Sequence, residues 1–326
     1  MTQIIILSGF LGAGKTTLIR RLAETCWQGK KVVLVENEFG EVGVDGPFLQ
    51  RTGLEIRELT SGCICCSLVG DFTGALCDIA ERLSPDIIAI EPSGVAKLSE
   101  ILRAARQSAE KAPLTLSCAV TVCDAGLCRD YAEGFGEFYL DQARHADLIL
   151  MSHADETDAE TLRDAARYLA QHGPAADIIA APWQELGPAA LRGLLEAAAE
   201  KRRAREAVHD QADGQDRCHD HHHHEHDRHR HDAGQTFVSW SRRPTACYTE
   251  DALRRLAHEV SSGRYGRVLR VKGIAPTPAG DWLELDCTGG HIDIRSGCPQ
   301  PEGVLCVIGA QLDEGALDAL IEKPDK

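Results

Sequence analysis

The sequence predicts an α/β protein: a doubly wound domain on a mostly parallel sheet, then a smaller C-terminal α+β domain. Three observations carry this. From Ile4 to about Trp183, short apolar runs alternate with amphipathic stretches rich in Ala, Leu and Arg. Those runs are near-continuously apolar, as strands buried on both faces must be, and repeated strand–helix units build doubly wound sheets. After a low-complexity stretch the pattern changes to mostly strands with a helix at either side, which suits an antiparallel sheet with helices on one face.

Taken in order, the expected strands of the first domain are Ile4–Leu7, Lys31–Glu36, Leu54–Glu58, Ile87–Ile90, Leu116–Val122, Leu148–Met151 and Ile178–Ala181. Thr16–Cys26, Phe72–Arg82, Ser99–Lys111 and Glu160–Gln171 have helical period and composition. A charged helix at Leu191–Arg205 closes the domain, placed at residues 1–205. Residues 206–234 have no apolar periodicity and are expected to form a disordered, His-rich linker. Residues 235–326 make the second domain. Its expected strands are Phe237–Trp240, Arg267–Lys272, Trp282–Asp286, His291–Arg295 and Val304–Gly309, and its helices Glu250–Ser261 and Glu314–Glu322.

Composition excludes some functions. The 326 residues are 43% hydrophobic and 26% charged, which is ordinary for a globular protein long enough for two cores. A formal net charge of −15 argues against nucleic acid as a partner, because phosphate binding needs a basic footprint. No apolar run is long enough to span a bilayer and the start lacks a signal-peptide pattern, so the expectation is a cytoplasmic protein with no membrane partner. In that reducing compartment the 13 cysteines point to metal ligands or free thiols rather than disulfides.

Gly9-Phe10-Leu11-Gly12-Ala13-Gly14-Lys15-Thr16 fits the G-x-x-x-x-G-K-[ST] pattern between an apolar strand and a helix, so the first domain reads as a P-loop NTPase. Gly9, Gly12, Ala13, Gly14 and Thr17 would offer backbone N–H groups to phosphates at a helix N-terminus. Lys15 would reach the β- and γ-phosphates, and Thr16 would bind Mg²⁺. A carboxylate must complete the magnesium shell. Glu91, at the end of Ile87-Ile88-Ala89-Ile90, is the candidate, with the Gly94 N–H beside the γ-phosphate. Lys15, Thr16 and Glu91 form the expected catalytic set.

Gly62-Cys63-Ile64-Cys65-Cys66 brings three thiols within four residues, enough to converge on one soft or borderline cation. With no second C-x-x-C, an open, exchangeable site is expected. Glu36 and Glu41, and also Glu38, are candidate oxygen donors from the neighbouring Glu36–Asp45 segment. The competing reading is a set of reduced, redox-sensitive thiols.

In combination, GFLGAGKTT at Gly9–Thr17, ENEFGEVGVD at Glu36–Asp45, GCICC at Gly62–Cys66 and EPSG at Glu91–Gly94 resemble the CobW family of GTPases, relatives of the nickel-insertion GTPases of hydrogenase and urease maturation. VLRVKG at Val268–Gly273 and VIGAQLDEGAL at Val307–Leu317 resemble the family's second domain. The resemblance implies Mg·GTP binding, slow hydrolysis, and loading of Zn²⁺, Co²⁺ or Ni²⁺ at the C-x-C-C loop for delivery to a client metalloprotein or cofactor-synthesis enzyme. It places Glu36–Asp45 where a first switch would be. One departure stands out: the guanine-reading Asn-Lys-x-Asp is replaced by Ser152-His153-Ala154-Asp155, which keeps only the discriminating carboxylate of Asp155.

Eight histidines lie between His219 and His231, beside Cys218. They read as a store or acceptor of metal feeding the GTPase, or as a solvated linker that binds metal incidentally. Cys118 and Cys123 on a strand, and Cys26 and Cys77 on helices, read as core residues, as does the Cys287, His291 and Cys298 group. Asp124, following a strand, is a further candidate for the nucleotide pocket. Two alternatives compete with a GTP-hydrolysing metallochaperone: a metal-buffering or sensing protein with vestigial turnover, and a P-loop kinase of a small metabolite. The sequence leaves the metal, the client and the oligomeric state open.

Overall fold

The computed structural model describes residues 1–36, 55–58, 69–173, 176–213, 237–244, 246–297, 299 and 302–321. Chain order gives β1 (Thr2–Gly9), α1 (Lys15–Thr25), β2 (Val32–Glu36), β3 (Glu55–Glu58), α2 (Val69–Leu83), β4 (Ile87–Glu91), α3 (Leu98–Ala109) and β5 (Leu114–Asp124). Then follow α4 (Cys128–His145), β6 (Leu148–Ser152), α5 (Ala159–His172), β7 (Asp177–Ile179), a short 3₁₀ turn at Trp183–Glu185 and α6 (Pro188–Asp213). The C-terminal part holds β8 (Val238–Arg242), α7 (Glu250–Val260), β9 (Arg267–Pro276), β10 (Trp282–Thr288), β11 (His291–Ser296), β12 (Val304–Ala310) and α8 (Glu314–Ile321).

Seven parallel strands form one sheet in the order β3-β2-β4-β1-β5-β6-β7. The period of two along each strand explains why both faces are dry. Ile4 and Ile6 of β1 enter one core with Val33, Val35, Ile88 and Ile90, while Ile5 and Leu7 enter the opposite core with Leu18, Ile19 and Leu22 of α1. This is the doubly wound arrangement expected from near-continuous apolar runs.

Two helices differ from the sequence reading. No helix was assigned between Val122 and Leu148, yet α4 occupies 18 residues there. Gly134 and Gly136 interrupt its apolar pattern, and Phe135 has non-helical backbone (φ −131°) at a kink. The closing helix α6 begins at Pro188, where proline's missing N–H costs nothing, and runs past Arg205 to Asp213. It is pinned from below: fully buried Asp147 accepts Arg202 Nε at 2.9 Å, Arg205 Nη1 at 3.0 Å and Ala119 N at 2.8 Å.

The second sheet is antiparallel, in the order β11-β10-β9-β12-β8. Helices α7 and α8 cover one face through Leu253, Leu256, Val260, Leu317 and Ile321, packed on Val271, Leu285 and Val307. The other face meets the first domain. Phe237, Leu269, Cys306 and Ile308 belong to the same apolar cluster as Phe10 of the loop after β1. Aromatic rings make the connection continuous: Phe10 to Phe135 at 5.1 Å, Phe135 to Phe237 at 5.8 Å, and Phe138 to Phe237 at 5.1 Å.

Candidate nucleotide site

Parallel register brings the candidate residues to one edge. At the carboxyl ends of adjacent strands, Glu36 of β2 pairs with Glu91 of β4 and with Glu58 of β3. Strand β1, next in the sheet, ends at Gly9 and turns into the loop that starts α1. In open α/β sheets this edge is where ligands bind.

Within the loop, Gly14 caps α1 with φ +97°, a left-handed conformation that glycine adopts without strain. Lys15 is buried, and its ammonium donates to Gly9 O at 3.0 Å and to Phe10 O at 3.3 Å. The side chain therefore curls back over the loop it follows, placing its charge at the cradle. Thr16 Oγ1 lies 3.4 Å from Glu91 Oε1. Gly94 abuts the loop closely enough that a Cβ there would lie 2.7 Å from Leu11 N. Buried Gln142 of α4 holds this approach by donating from Nε2 to Gly94 O and Ala96 O, each at 3.0 Å. Sequence reasoning missed Gln142, because α4 itself was not assigned.

A cavity of about 200 Å³ opens above the loop, bounded on one side by Gly12, Gly14, Lys15, Thr16 and Glu91. That volume is below the usual range for a whole ligand and suits a phosphate chain with its base outside. A hydroxyl and a carboxylate facing each other at a helix N-terminus are hard oxygen donors of the kind Mg²⁺ takes. The remaining walls come from Arg20 and, across the domain boundary, from Arg270, Asp286 and Arg295. These last three carried no functional assignment from sequence. Their signal was charge at alternate positions of strands whose other face is apolar, as with Arg270 beside Val271.

The segment expected to meet the base, Ser152–Asp155, lies next to this loop. Ser152 ends β6, and its Cβ is 3.9 Å from the position of a Cβ on Gly14. His153 is left-handed (φ +54°), with Nδ1 3.2 Å from Glu156 Oε2 and Nε2 3.8 Å from Asp124 Oδ2. Asp155 is exposed in the turn that follows. Asp124 is mainly a turn former: its Oδ1 accepts from Gly126 N and Leu127 N.

Cys63, Cys65, Cys66, Glu38, Glu41 and Cys298 lie outside the described residues, as does the His219–His231 run. Among the described residues, no group of three or more His, Cys, Asp or Glu side chains is placed to hold a metal ion. Glu36 is buried at the strand end. Cys26, Cys118 and Cys123 are buried as expected, whereas Cys77 is only half-buried, with its thiol 3.8 Å from Ser108 O. Burial, and then the charge of Asp147, push the Cys118 thiol up to about 12. Burial and Cys128 raise Cys123, although Tyr139 bonds to its thiol. Buried Cys287 is raised chiefly by burial too, while His291 is exposed. No described helix is long and apolar enough to cross a membrane.

Comparison with known proteins decides the family. Residues 3–180 match the model described as "CobW/HypB/UreG, nucleotide-binding domain", and residues 237–323 match the "Cobalamin synthesis protein cobW C-terminal domain". The chain belongs to the CobW/HypB/UreG family. Relatives of this CobW-type chain include the zinc chaperone CobW of a Sinorhizobium species, 35% identical over 48% of the chain and 52% of the relative. The zinc chaperone CobW of Pseudomonas aeruginosa is 30% identical over 59% of each. The zinc chaperone YeiR of Escherichia coli is 31% identical over 53% of each. The matches thus span about half to three-fifths of these relatives' length. Among solved structures, Zn(II)-bound YjiA GTPase from E. coli aligns over 100% of the chain and 99% of its own, at 19% identity and a TM-score of 0.44.

Proposed function

We propose that this CobW-type chain is a GTP-hydrolysing metallochaperone that binds a divalent transition metal and delivers it to a client protein or cofactor-synthesis enzyme. The observation that carries the reading is the Glu36–Glu91 register. It sets the first residue of the acidic Glu36–Asp45 segment one strand from the carboxylate that faces Thr16. Glu36 and Glu91 are then a single strand spacing apart, roughly 5 Å.

In this mechanism the N–H groups of Gly12, Ala13, Gly14, Lys15, Thr16 and Thr17 cradle the phosphates, and the α1 dipole favours their charge. Lys15 releases its loop carbonyls to meet the β- and γ-phosphate oxygens. Thr16 and Glu91 fit Mg²⁺ as ligand and shell carboxylate; when bound, the ion neutralises phosphate charge. Gly94, fixed by Gln142, presents its N–H toward the γ-phosphate. Asp155 accepts from guanine N1–H and N2–H, a pair of donors adenine lacks. The cargo metal is held by Cys63, Cys65 and Cys66, with Glu36 and Glu41 as oxygen donors. Three thiolates with carboxylates suit Zn²⁺, and the zinc-chaperone names of the relatives support that choice over Co²⁺ or Ni²⁺.

Phosphate release from GTP, with and without Zn²⁺, is the direct test. Turnover that is stimulated by metal and lost in Lys15→Ala is expected. Equal release from Lys15→Ala, or none from the native chain, would overturn the enzymatic reading and favour a metal buffer.

A further inference from the structure

The face of the C-terminal sheet that carries no helices forms the roof of the phosphate pocket. Strand β10 approaches so closely that a Cβ on Gly12 would lie 2.6 Å from Thr288 Cγ2. One residue on, a Cβ on Gly289 would lie 2.4 Å from Leu127 Cδ1, against the start of α4. Arg267 fastens the same edge: Nη1 donates to Gly134 O at 2.9 Å, and its guanidinium sits 4.2 Å from the Phe135 ring centre. The contact is thus packed at three separate points.

Register puts the charged residues of this roof side by side. Arg270 pairs with Thr288, and Asp286, two residues back along β10, is on the same face. Arg270 grips Asp286 through both ends of the fork, Nε to Oδ1 at 2.9 Å and Nη2 to Oδ2 at 2.6 Å. Both line the cavity, together with Arg295 of β11. The charged side chains around the cavity are Lys15, Arg20, Arg270 and Arg295 against Glu91 and Asp286. Arg295 is held in turn by Glu284 Oε2 at 2.9 Å and Asp293 Oδ2 at 3.5 Å, so the arginines of this roof are fixed in place by carboxylates.

We propose that Arg270 is a catalytic residue supplied in cis by the C-terminal domain, and that Asp286 positions it. The assignment rests on the GTPase reading above. In hydrolysis a water oxygen forms a bond to the γ-phosphorus as the bond from that phosphorus to the β–γ bridging oxygen breaks. The bridging oxygen keeps the electron pair as part of GDP, and the water proton passes to the released phosphate and solvent. Negative charge grows on the bridging and γ-oxygens, and the Arg270 guanidinium, which lines the same cavity as Lys15 and Thr16, stabilises it. The bidentate grip fixes the guanidinium plane before substrate arrives, so little reorganisation is left for the transition state. An arginine in this role is worth about 10³–10⁵ in turnover in other P-loop GTPases. Because Arg270 and Thr288 belong to the second domain, its docking on the P-loop completes the hydrolytic site.

The test uses the full chain with Arg270→Ala, Arg270→Lys, Asp286→Asn and Asp286→Glu. Steady-state GTP hydrolysis is measured alongside binding of fluorescent GDP and of GDP with aluminium fluoride. Arg270→Ala should lower kcat at least hundredfold with GDP affinity within threefold, and should abolish the extra affinity given by aluminium fluoride. Arg270→Lys should recover only part of the loss, since lysine lacks the fork. Asp286→Asn should lower kcat with little change in KM, and Asp286→Glu should restore part of it. Retained kcat in Arg270→Ala, with native GDP binding and thermal midpoint, overturns the assignment. So does a loss confined to ground-state nucleotide binding. Failure of the GTPase reading is distinct: the native chain would then show no Lys15-dependent turnover at all.

Discussion

Thr16 and Glu91, 75 residues apart, meet across the head of the sheet with Oγ1 and Oε1 3.4 Å apart. Neither can be reached from bulk solvent on all sides, since Lys15 beside Thr16 is buried and Gly94 closes on Leu11. Glu91→Gln keeps the shape and removes the charge. It should lower turnover roughly a hundredfold and raise the magnesium concentration needed for half-maximal rate. Phosphate release across a magnesium series measures both. An unchanged magnesium requirement would remove Glu91 from the ion's shell.

In the proposed base site, Asp155 is the one residue left of the guanine-reading pattern. Competition between GTP and ATP for the native chain should favour GTP, and Asp155→Ala should reduce that preference by roughly ten- to a hundredfold. The flanking Ser152 and His153 predict a weaker base contact than a full Asn-Lys-x-Asp provides. ATP binding as well as GTP in the native chain would refute this.

Asp147 carries a stability prediction. Its carboxylate is wholly buried and accepts from Arg202, which is nearly so, and from Arg205. Removing one partner of such a network strands charge in the interior, at a cost of about 3–5 kcal/mol. Asp147→Leu should therefore unfold at clearly lower denaturant concentration than the native chain. A shift smaller than about 1 kcal/mol would mean that water reaches the arginines.

The Asp141–His145 pair ties stability to pH. His145 Nδ1 lies 3.2 Å from Asp141 Oδ2 on α4, and Asp141 Oδ1 accepts from Ser99 N of α3 at 3.0 Å. The Asp141 bond raises the His145 pKa above 6.5 despite partial burial. Burial pushes Asp141 upward, but the bonds from His145 and Ser99 outweigh it and hold the pKa below 3.8. The histidine contribution is complete below pH 6.5 and lost as pH rises through the raised value. The aspartate contribution is complete above 3.8 and lost as pH falls through the lowered one. His145→Gln should therefore cost more stability near about pH 5.5 than near about pH 9, by up to about 1 kcal/mol since His145 is half-exposed. Denaturant midpoints at the two pH values check this; an equal cost at both contradicts it.

What was legible in the sequence was local. The β1–loop–α1 unit follows from an apolar run, a glycine pattern and a helical period, all within residues 2–25. Glu91 was found because a carboxylate ends a buried strand, and Glu36 for the same reason. The register that sets them side by side is a tertiary fact that no local pattern encodes. Helix α4 was hidden by Gly134 and Gly136; Gly134 answers to Arg267 across the domain boundary, whose guanidinium would collide with a Cβ there, whereas a Cβ on Gly136 would meet open space. Arg270 and Asp286 were invisible for a related reason. On their own strands they are an exposed-face ion pair, and only docking on Gly12 turns that face into a wall of the pocket.

We propose that nucleotide state controls the metal site, because Glu36 of the acidic segment and Glu91 facing Thr16 share one register position. Zinc affinity should be measured by competition with a chelating dye, for the chain loaded with GDP and with a non-hydrolysable GTP analogue, and for Cys65→Ser in parallel. Assembly of Cys63, Cys65 and Cys66 with Glu36 and Glu41 beside an occupied phosphate site predicts at least tenfold tighter binding with the GTP analogue, a difference absent in Cys65→Ser. Equal affinity in the two nucleotide states of the native chain would contradict the claim.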